Sequence, residues 1–331
     1  MASLLQRSVA SARHLSSSAK PYSTPLLLNP TDIVVTKHRL LDATWFMPNV
    51  ARDPAAEFAQ CHVPQAQFWP VDDIADHSHP LGLKHMLPSA ETFAQACSQR
   101  GISNTDHVVV YDTHGVFSSP RTLFTFKAFG HDKVSVLDGG LPHWRSLGLV
   151  VEAGPGLQPT HTPYKVSPLQ PDFIKSYEQM VHNSELGNPT SSESAYVLDA
   201  RPNGRFVGKD PEPRPNLKSG HIPNSLSLPF NAVLEEQQQE GHLYKTFLAP
   251  DDLEQVLVNS LDGDKHSLEK ILTGQKPVTT TCGSGMTAAV TWLAFNILAQ
   301  SKGLPPPKLS LYDESWTGYA SRPESKIDTS I

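Results

Sequence analysis

Cysteine is scarce in this chain, with three in 331 residues. Three thiols cannot build a disulfide framework, so a buried apolar core must hold the fold, and a reducing compartment suits it. A surplus of basic charge is also missing. Lys and Arg number 27 against 33 Asp and Glu, a net charge of −6, which argues against a surface built to bind nucleic acid directly. Long apolar runs are absent too. The most apolar stretch, residues 288–299, is interrupted by Thr291 and Asn296. It is shorter than the roughly 20 residues a membrane span needs, so it reads as a buried helix and no membrane association is expected.

Acidic residues are missing from the N-terminus, where the first is Asp32. Residues 1–25 carry Arg7, Arg13 and Lys20 among serines and alanines, with Leu4, Leu5, Val9 and Ala12 on one helical face. An acid-poor, Arg- and Ser-rich amphipathic start predicts a mitochondrial transit peptide, cleaved between residues 15 and 22 and outside the fold. No uninterrupted apolar region supports a secretory signal. A second, cytoplasmic pool stays open, although a late start at Met47 would remove the first predicted strand.

What is present is a soluble, loop-rich composition with 38% apolar residues, 18% charged residues and 29 prolines. The length suggests two domains, and a long-period repeat supports that. LLDAT (residues 40–44) resembles VLDAR (197–201). CHVPQAQF (61–68) resembles GHIPNSLSL (220–228). HVVVYDTHG (107–115) lines up with PVTTTCGSG (277–285), and VSVLDGGLPHW (134–144) with LSLYDESWTGY (309–319). Order is kept in both halves, and the second copy carries extra loop residues around 235–241 and 261–275. Each block reads as a buried strand running into a loop. Helical stretches lie between them at 55–60, 90–100, 120–129, 251–259 and 287–300. The alternation predicts an α/β fold of two tandem domains, each a mostly parallel sheet flanked by helices. The expected domains are 30–150 and 172–325, joined by a Pro-, Gly- and Thr-rich linker at 151–171. Ligands in such sheets bind at the carboxyl ends of the strands.

Cys282 ends the strand VTTT and opens the loop CGSGMT, which leads into the apolar helix. Gly283 and Gly285 allow the backbone to curl, so that amides and the helix N-terminus converge on the thiol and favour a thiolate nucleophile. Cys61 and Cys97 read as ordinary small apolar residues. In the first half Asp112 replaces Cys282, so only the second half is expected to carry the chemistry.

The Cys282 loop, the tandem repeat, the HIP block and DESW together resemble the rhodanese-type sulfurtransferases, over residues 30–325. A phosphatase on this fold would need an arginine six residues after the cysteine, where Ala288 stands. The neutral CGSG loop resembles the branch that acts on mercaptopyruvate; the thiosulfate branch has basic CRKG. Met286 replaces the usual valine. The resemblance implies a Cys282 persulfide, loop contacts from Gly283, Gly285, Met286 and Thr287, and a donor carboxylate held by Arg205 and Arg214 in the GRF and EPR motifs. Arg201 is expected to anchor the loop. The resemblance also implies a constellation of Ser284, His85 and Asp72, with Asp73 left open as an alternative to Asp72. It implies no metal or organic cofactor, a small-molecule sulfur donor, and thioredoxin, a small thiol or cyanide as acceptor. Two alternatives are a thiosulfate sulfurtransferase and a sulfur relay from a cysteine desulfurase toward tRNA thiolation. Trp144 and Trp316 are expected in the core or at an interface, with Trp316 a candidate for the mouth of the site. Asp199 and Asp313 are expected to bond loop amides.

Overall fold

The computed structural model describes residues 22–187 and 189–330. Most of the expected leader, residues 1–21, lies outside them. Residues 22–25, expected to belong to that leader, are docked: Tyr22 donates to Asn296 Oδ1 at 3.0 Å, and Gln300 Nε2 donates to the Thr24 carbonyl at 2.9 Å. The first domain also starts before residue 30, because β1 pairs with a strand of the sheet.

In chain order the first half holds β1 (Leu27–Leu28), β2 (His38–Asp42), α1 (Pro54–Gln60), β3 (Gln67–Phe68), α2 (Val71–Ile74), α3 (Ala90–Gln99), β4 (His107–Tyr111), α4 (Ser119–Ala128), β5 (Val134–Leu137) and α5 (Gly140–Ser146). The second holds β6 (Ile174–Lys175), α6 (Tyr177–Glu185), β7 (Tyr196–Asp199), α7 (Asn203–Phe206), β8 (Ser225–Ser227), β9 (Leu234–Gln239), β10 (His242–Phe247), α8 (Pro250–Asn259), α9 (Lys265–Leu272), β11 (Val278–Thr281), α10 (Ala288–Ser301), β12 (Leu309–Tyr312) and α11 (Ser315–Ala320). Each half builds a five-stranded sheet, with orders β1-β5-β4-β2-β3 and β6-β12-β11-β7-β8. All pairings within the two sheets are parallel. The inner strands β4, β5, β7, β11 and β12 are buried on both faces, which is why they read as continuous β-branched and apolar runs rather than as alternating ones.

Local chemistry sets the helix starts. Asp53 accepts from the amides of Ala55 and Ala56 ahead of Pro54, Ser89 caps Thr92, and Ser176 with Gln179 forms a capping box. Helix α10 is apolar on nearly every side because it is wrapped by α4, α8 and its own sheet. Phe124 of α4 meets Trp292 of α10 edge-on at 5.2 Å, so the helices that follow the two repeated loops pack together and merge the cores of both halves.

Two expected loops prove to be elements. Residues 235–241 belong to the antiparallel β9–β10 hairpin, and 261–275 hold α9, capped by Asp264. The hairpin was illegible because β9 is LEEQQQ, polar on both faces and mostly exposed. The segment at 151–171 runs extended along the first half, with amides of Leu157, Thr162 and Gln170 donating to Ala66, Ser98 and Ala128 carbonyls. No helix among the described residues is long and apolar enough to cross a membrane.

Candidate active site

In the second sheet β7 leads away to β8 on one side, while β11 leads to β12 on the other. The loops after β7 and β11 therefore flank a gap at the carboxyl ends of the strands, where an open parallel sheet binds ligands. Cys282 closes β11 and is buried at the floor of this gap. Its amide donates to Ser315 Oγ at 3.2 Å, and the same hydroxyl lies 4.0 Å from Sγ. Ser315 adopts a left-handed φ of 51°, an uncommon conformation for a serine that turns α11 under the cysteine. Trp316 and Thr317 amides bond the carbonyls of Cys282 and Gly283, so the loop is tied down by its carbonyls.

Its amides are left free. Among the described residues, none accepts a hydrogen bond from the amides of residues 283–288. Thr287 ends the loop without a side-chain cap on α10, so the helix N-terminus also faces the gap. The first half supplies an internal control. At the matching place the carboxylate of Asp112 accepts from the amides of His114, Phe117, Ser118 and Ser119, at 2.9–3.0 Å. There the anion is built into the chain. The counterpart amides of Ser284, Thr287 and Ala288 are free to receive one from outside.

Two guanidinium groups hang over the loop. A Cβ added at Gly283 would lie 3.3 Å from both Arg205 Nη2 and Arg214 Nη1. Arg205 and Arg214 line a cavity of about 210 Å³ with Cys282, Ser284, Met286 and Thr287. Burial draws the Arg214 guanidinium below its ordinary range; Arg205 acts in the same sense, against the pull of Cys282 and Glu212. An adjoining cavity of about 480 Å³ shares Met47, Arg214 and Ser284 and adds His85, Leu83 and Glu314.

On that side His85 Nδ1 lies 2.7 Å from Asp72 Oδ1, and Trp45 Nε1 donates to Asp72 Oδ2 at 2.9 Å. Burial pushes the Asp72 carboxyl up, but the hydrogen bond and charge of His85, with help from Trp45 and His77, outweigh it and hold the group below its usual range. Asp73 makes no such contact with His85. Ser284 shares the cavity wall with His85, but no hydrogen bond joins the two side chains.

The rhodanese-like domain family matches residues 36–147 and 182–322. The chain is similar to the human 3-mercaptopyruvate sulfurtransferase, 36% identical over 87% of this chain and 88% of the relative. It is also similar to the mitochondrial thiosulfate/3-mercaptopyruvate sulfurtransferase 1 of Arabidopsis thaliana, 35% identical over 88% of this chain and 74% of the relative. Among solved structures, the sulfur transferase subunit of yeast mitochondrial complex I superposes with a TM-score of 0.74 at 31% identity, over 92% of this chain and 99% of that one. The chain belongs to the rhodanese-like family. It is an enzyme of the sulfurtransferase type.

Several residues of this rhodanese-like chain have places the sequence did not reveal. Arg121, on α4 of the first half, is buried against the second: Nη2 lies 2.7 Å from Asp313 Oδ1 and donates to the His85 carbonyl at 2.6 Å, while Nη1 reaches the Gly285 carbonyl at 3.4 Å. Asp313 Oδ2 accepts from the Leu87 amide at 2.7 Å. One buried ion pair thus ties the His85 loop to the Cys282 loop. Glu212 links Arg201 and Arg205; a glutamate between two arginines of a Pro-rich loop was the available signal. Trp316 does not line the mouth. It is buried beneath Arg201, whose guanidinium lies 4.2 Å from its ring centre. Arg201 is held by Asp199, Glu212 and the Gly220 carbonyl, which makes it the anchor of the loop.

Proposed function

We propose that the protein transfers sulfur from 3-mercaptopyruvate to a thiol or cyanide acceptor through a persulfide on Cys282. The observation that carries this reading is a cysteine set beneath free loop amides, with two guanidinium groups above them. The Cys282 thiolate attacks the donor's sulfur, the carbon–sulfur bond breaks, and its electron pair passes to the carbon that becomes the methyl group of pyruvate on protonation. The loop amides stabilise the anionic sulfur left on Cys282. Arg205 and Arg214 hold the donor carboxylate. Asp72 fixes the imidazole tautomer by accepting from Nδ1, leaving Nε2 of His85 with Ser284 to handle the donor's thiol proton. The acceptor, thioredoxin or a small thiol, then attacks the outer sulfur and regenerates the thiolate, a ping-pong sequence. The acid-poor leader supports a mitochondrial location, in keeping with the mitochondrial relative from Arabidopsis.

The test compares mercaptopyruvate and thiosulfate as donors for the full chain, measuring pyruvate, sulfide and thiocyanate. Mercaptopyruvate is expected to give a kcat/KM about tenfold higher or more, and Cys282→Ser is expected to lose turnover with both. Pyruvate release by Cys282→Ser would overturn the mechanism, and a thiosulfate preference would overturn the donor.

A further inference from the structure

The charged groups around the proposed donor pocket nearly cancel. Arg201 is paired with Asp199, its Nε lying 3.0 Å from both carboxylate oxygens. Glu212, whose side chain is 1% exposed, accepts from Arg201 Nη1 at 2.7 Å and from Arg205 through Nε at 3.1 Å and Nη2 at 2.5 Å. Arg214 forms no ion pair with a described carboxylate. Three guanidinium groups against two carboxylates leave a single positive charge to face the gap above Gly283, and the Cys282 thiolate of the proposed mechanism cancels it.

We propose that Glu212 determines donor specificity by limiting the negative charge the site accepts, a role that rests on the function proposed above. With Glu212 in place the cluster and the thiolate are together neutral, so one donor carboxylate is held by guanidinium hydrogen bonds with no surplus charge to spare. A dianionic donor such as thiosulfate brings a second negative charge into a site where burial weakens screening, and Glu212 repels it. Discrimination then comes from a repulsive element as much as from the arginines. Geometry acts in the same direction: Glu212 occupies Nε and Nη2 of Arg205, and Nη1 makes no hydrogen bond to a described residue.

The experiment measures kcat/KM for mercaptopyruvate and for thiosulfate, with cyanide as the common acceptor, in the full-length wild type, Glu212→Gln, Glu212→Ser and Glu212→Asp. Thermal unfolding verifies folding, and Glu212→Ser carries the test if Glu212→Gln does not fold. Either neutral variant is expected to raise the thiosulfate-to-mercaptopyruvate ratio about tenfold or more. Glu212→Asp, which keeps the charge, is expected to leave the ratio within about twofold even as both rates fall. An unchanged ratio in a folded neutral variant overturns the proposal, as does an equal rise in Glu212→Asp, which would trace the effect to shape. Absence of pyruvate release by the wild type would instead overturn the donor assignment, and the charge rule would then stand or fall on whether neutral variants gain thiosulfate activity.

Discussion

Gly283 and Gly285 sit two positions apart, yet a methyl group at each meets different neighbours. At Gly283 it would touch only the ends of Arg205 and Arg214, at 3.3 Å, and the backbone there needs no left-handed φ. Gly283→Ala is therefore expected to fold normally and to raise KM for the donor by roughly tenfold, by pushing the guanidinium groups from the carboxylate position. Gly285 has φ of +81°, and its added Cβ would fall 3.0 Å from Asp313 O and Oδ1. Gly285→Ala is expected to cost about 1–3 kcal/mol of stability and most of kcat. Unfolding curves and steady-state kinetics on the pair check this; equal effects at both positions would contradict it. At this scale the Cys282 loop and the two arginines that share its cavity were legible, because each lies within one continuous stretch. The partner of His85 was legible only as Asp72 with Asp73 left open. Asp72 and Asp73 are adjacent on one turn of α2 and point about 100° apart, and only the docking of the His85 loop selects Asp72.

Helices α4 and α10 follow equivalent loops and pack against each other, so a side chain on α4 can reach the site of the other half. Arg121 does so, and its pairing with Asp313 is buried on both sides, at 3% and 4% exposure. Arg121→Met would leave Asp313 charged, buried and unpaired, with an expected cost of about 3–5 kcal/mol. It would also free the His85 and Gly285 carbonyls, so kcat should fall more than KM rises. Denaturant unfolding beside kinetics tests this, and a variant of wild-type stability would show that the pair contributes little. The β9–β10 hairpin is the second device at this scale. It lies against the first half: the Phe247 amide donates to Asp138 Oδ1 at 3.1 Å, and Tyr244 stacks on His143 with ring centres 4.7 Å apart. Gly115, the counterpart of Gly285, backs onto Lys245 so closely that an added Cβ would be 2.5 Å from its amide nitrogen. In the first half the repeated loop is filled by Asp112 and covered by the hairpin; in the second it is open.

For the whole molecule the seam between the halves should respond to pH. Burial pushes the Asp138 carboxyl up to about 7; the Phe247 amide opposes this and Glu235 adds to it. Asp42 is likewise pushed up to about 7 by burial, against its hydrogen bonds from Thr44. A carboxyl raised above its unfolded value binds its proton more tightly in the native state. Its contribution to stability is full below the unfolded value near 4 and is lost as pH rises through about 7. Asp138→Asn keeps the acceptor for Phe247 and removes the charge. It should raise the unfolding temperature by roughly 2–4 °C at pH 8 and by less at pH 5. Calorimetry across that range is the check, and a larger gain at pH 5 would reverse the sign argued here.

The sequence by itself determined the tandem α/β organisation, the buried strands, the strand–loop–helix around Cys282 and the arginines after β7. The strands, the loop and the arginines are written in residues close together along the chain, where periodicity, glycines and caps act locally, and the tandem organisation in the ordered repeat of such blocks. Tertiary structure alone decided that Asp72 meets His85, that Glu212 neutralises Arg205, that Arg121 crosses to Asp313 and that a polar hairpin covers the first-half loop. Arg121–Asp313 and the hairpin contacts join distant parts of the chain, while the Asp72–His85 and Glu212–Arg205 pairings are closed by irregular loops whose course only the packing sets. Any of several acids or arginines could have made them, and only the packing of two sheets about α4 and α10 brings one particular pair within hydrogen-bond distance.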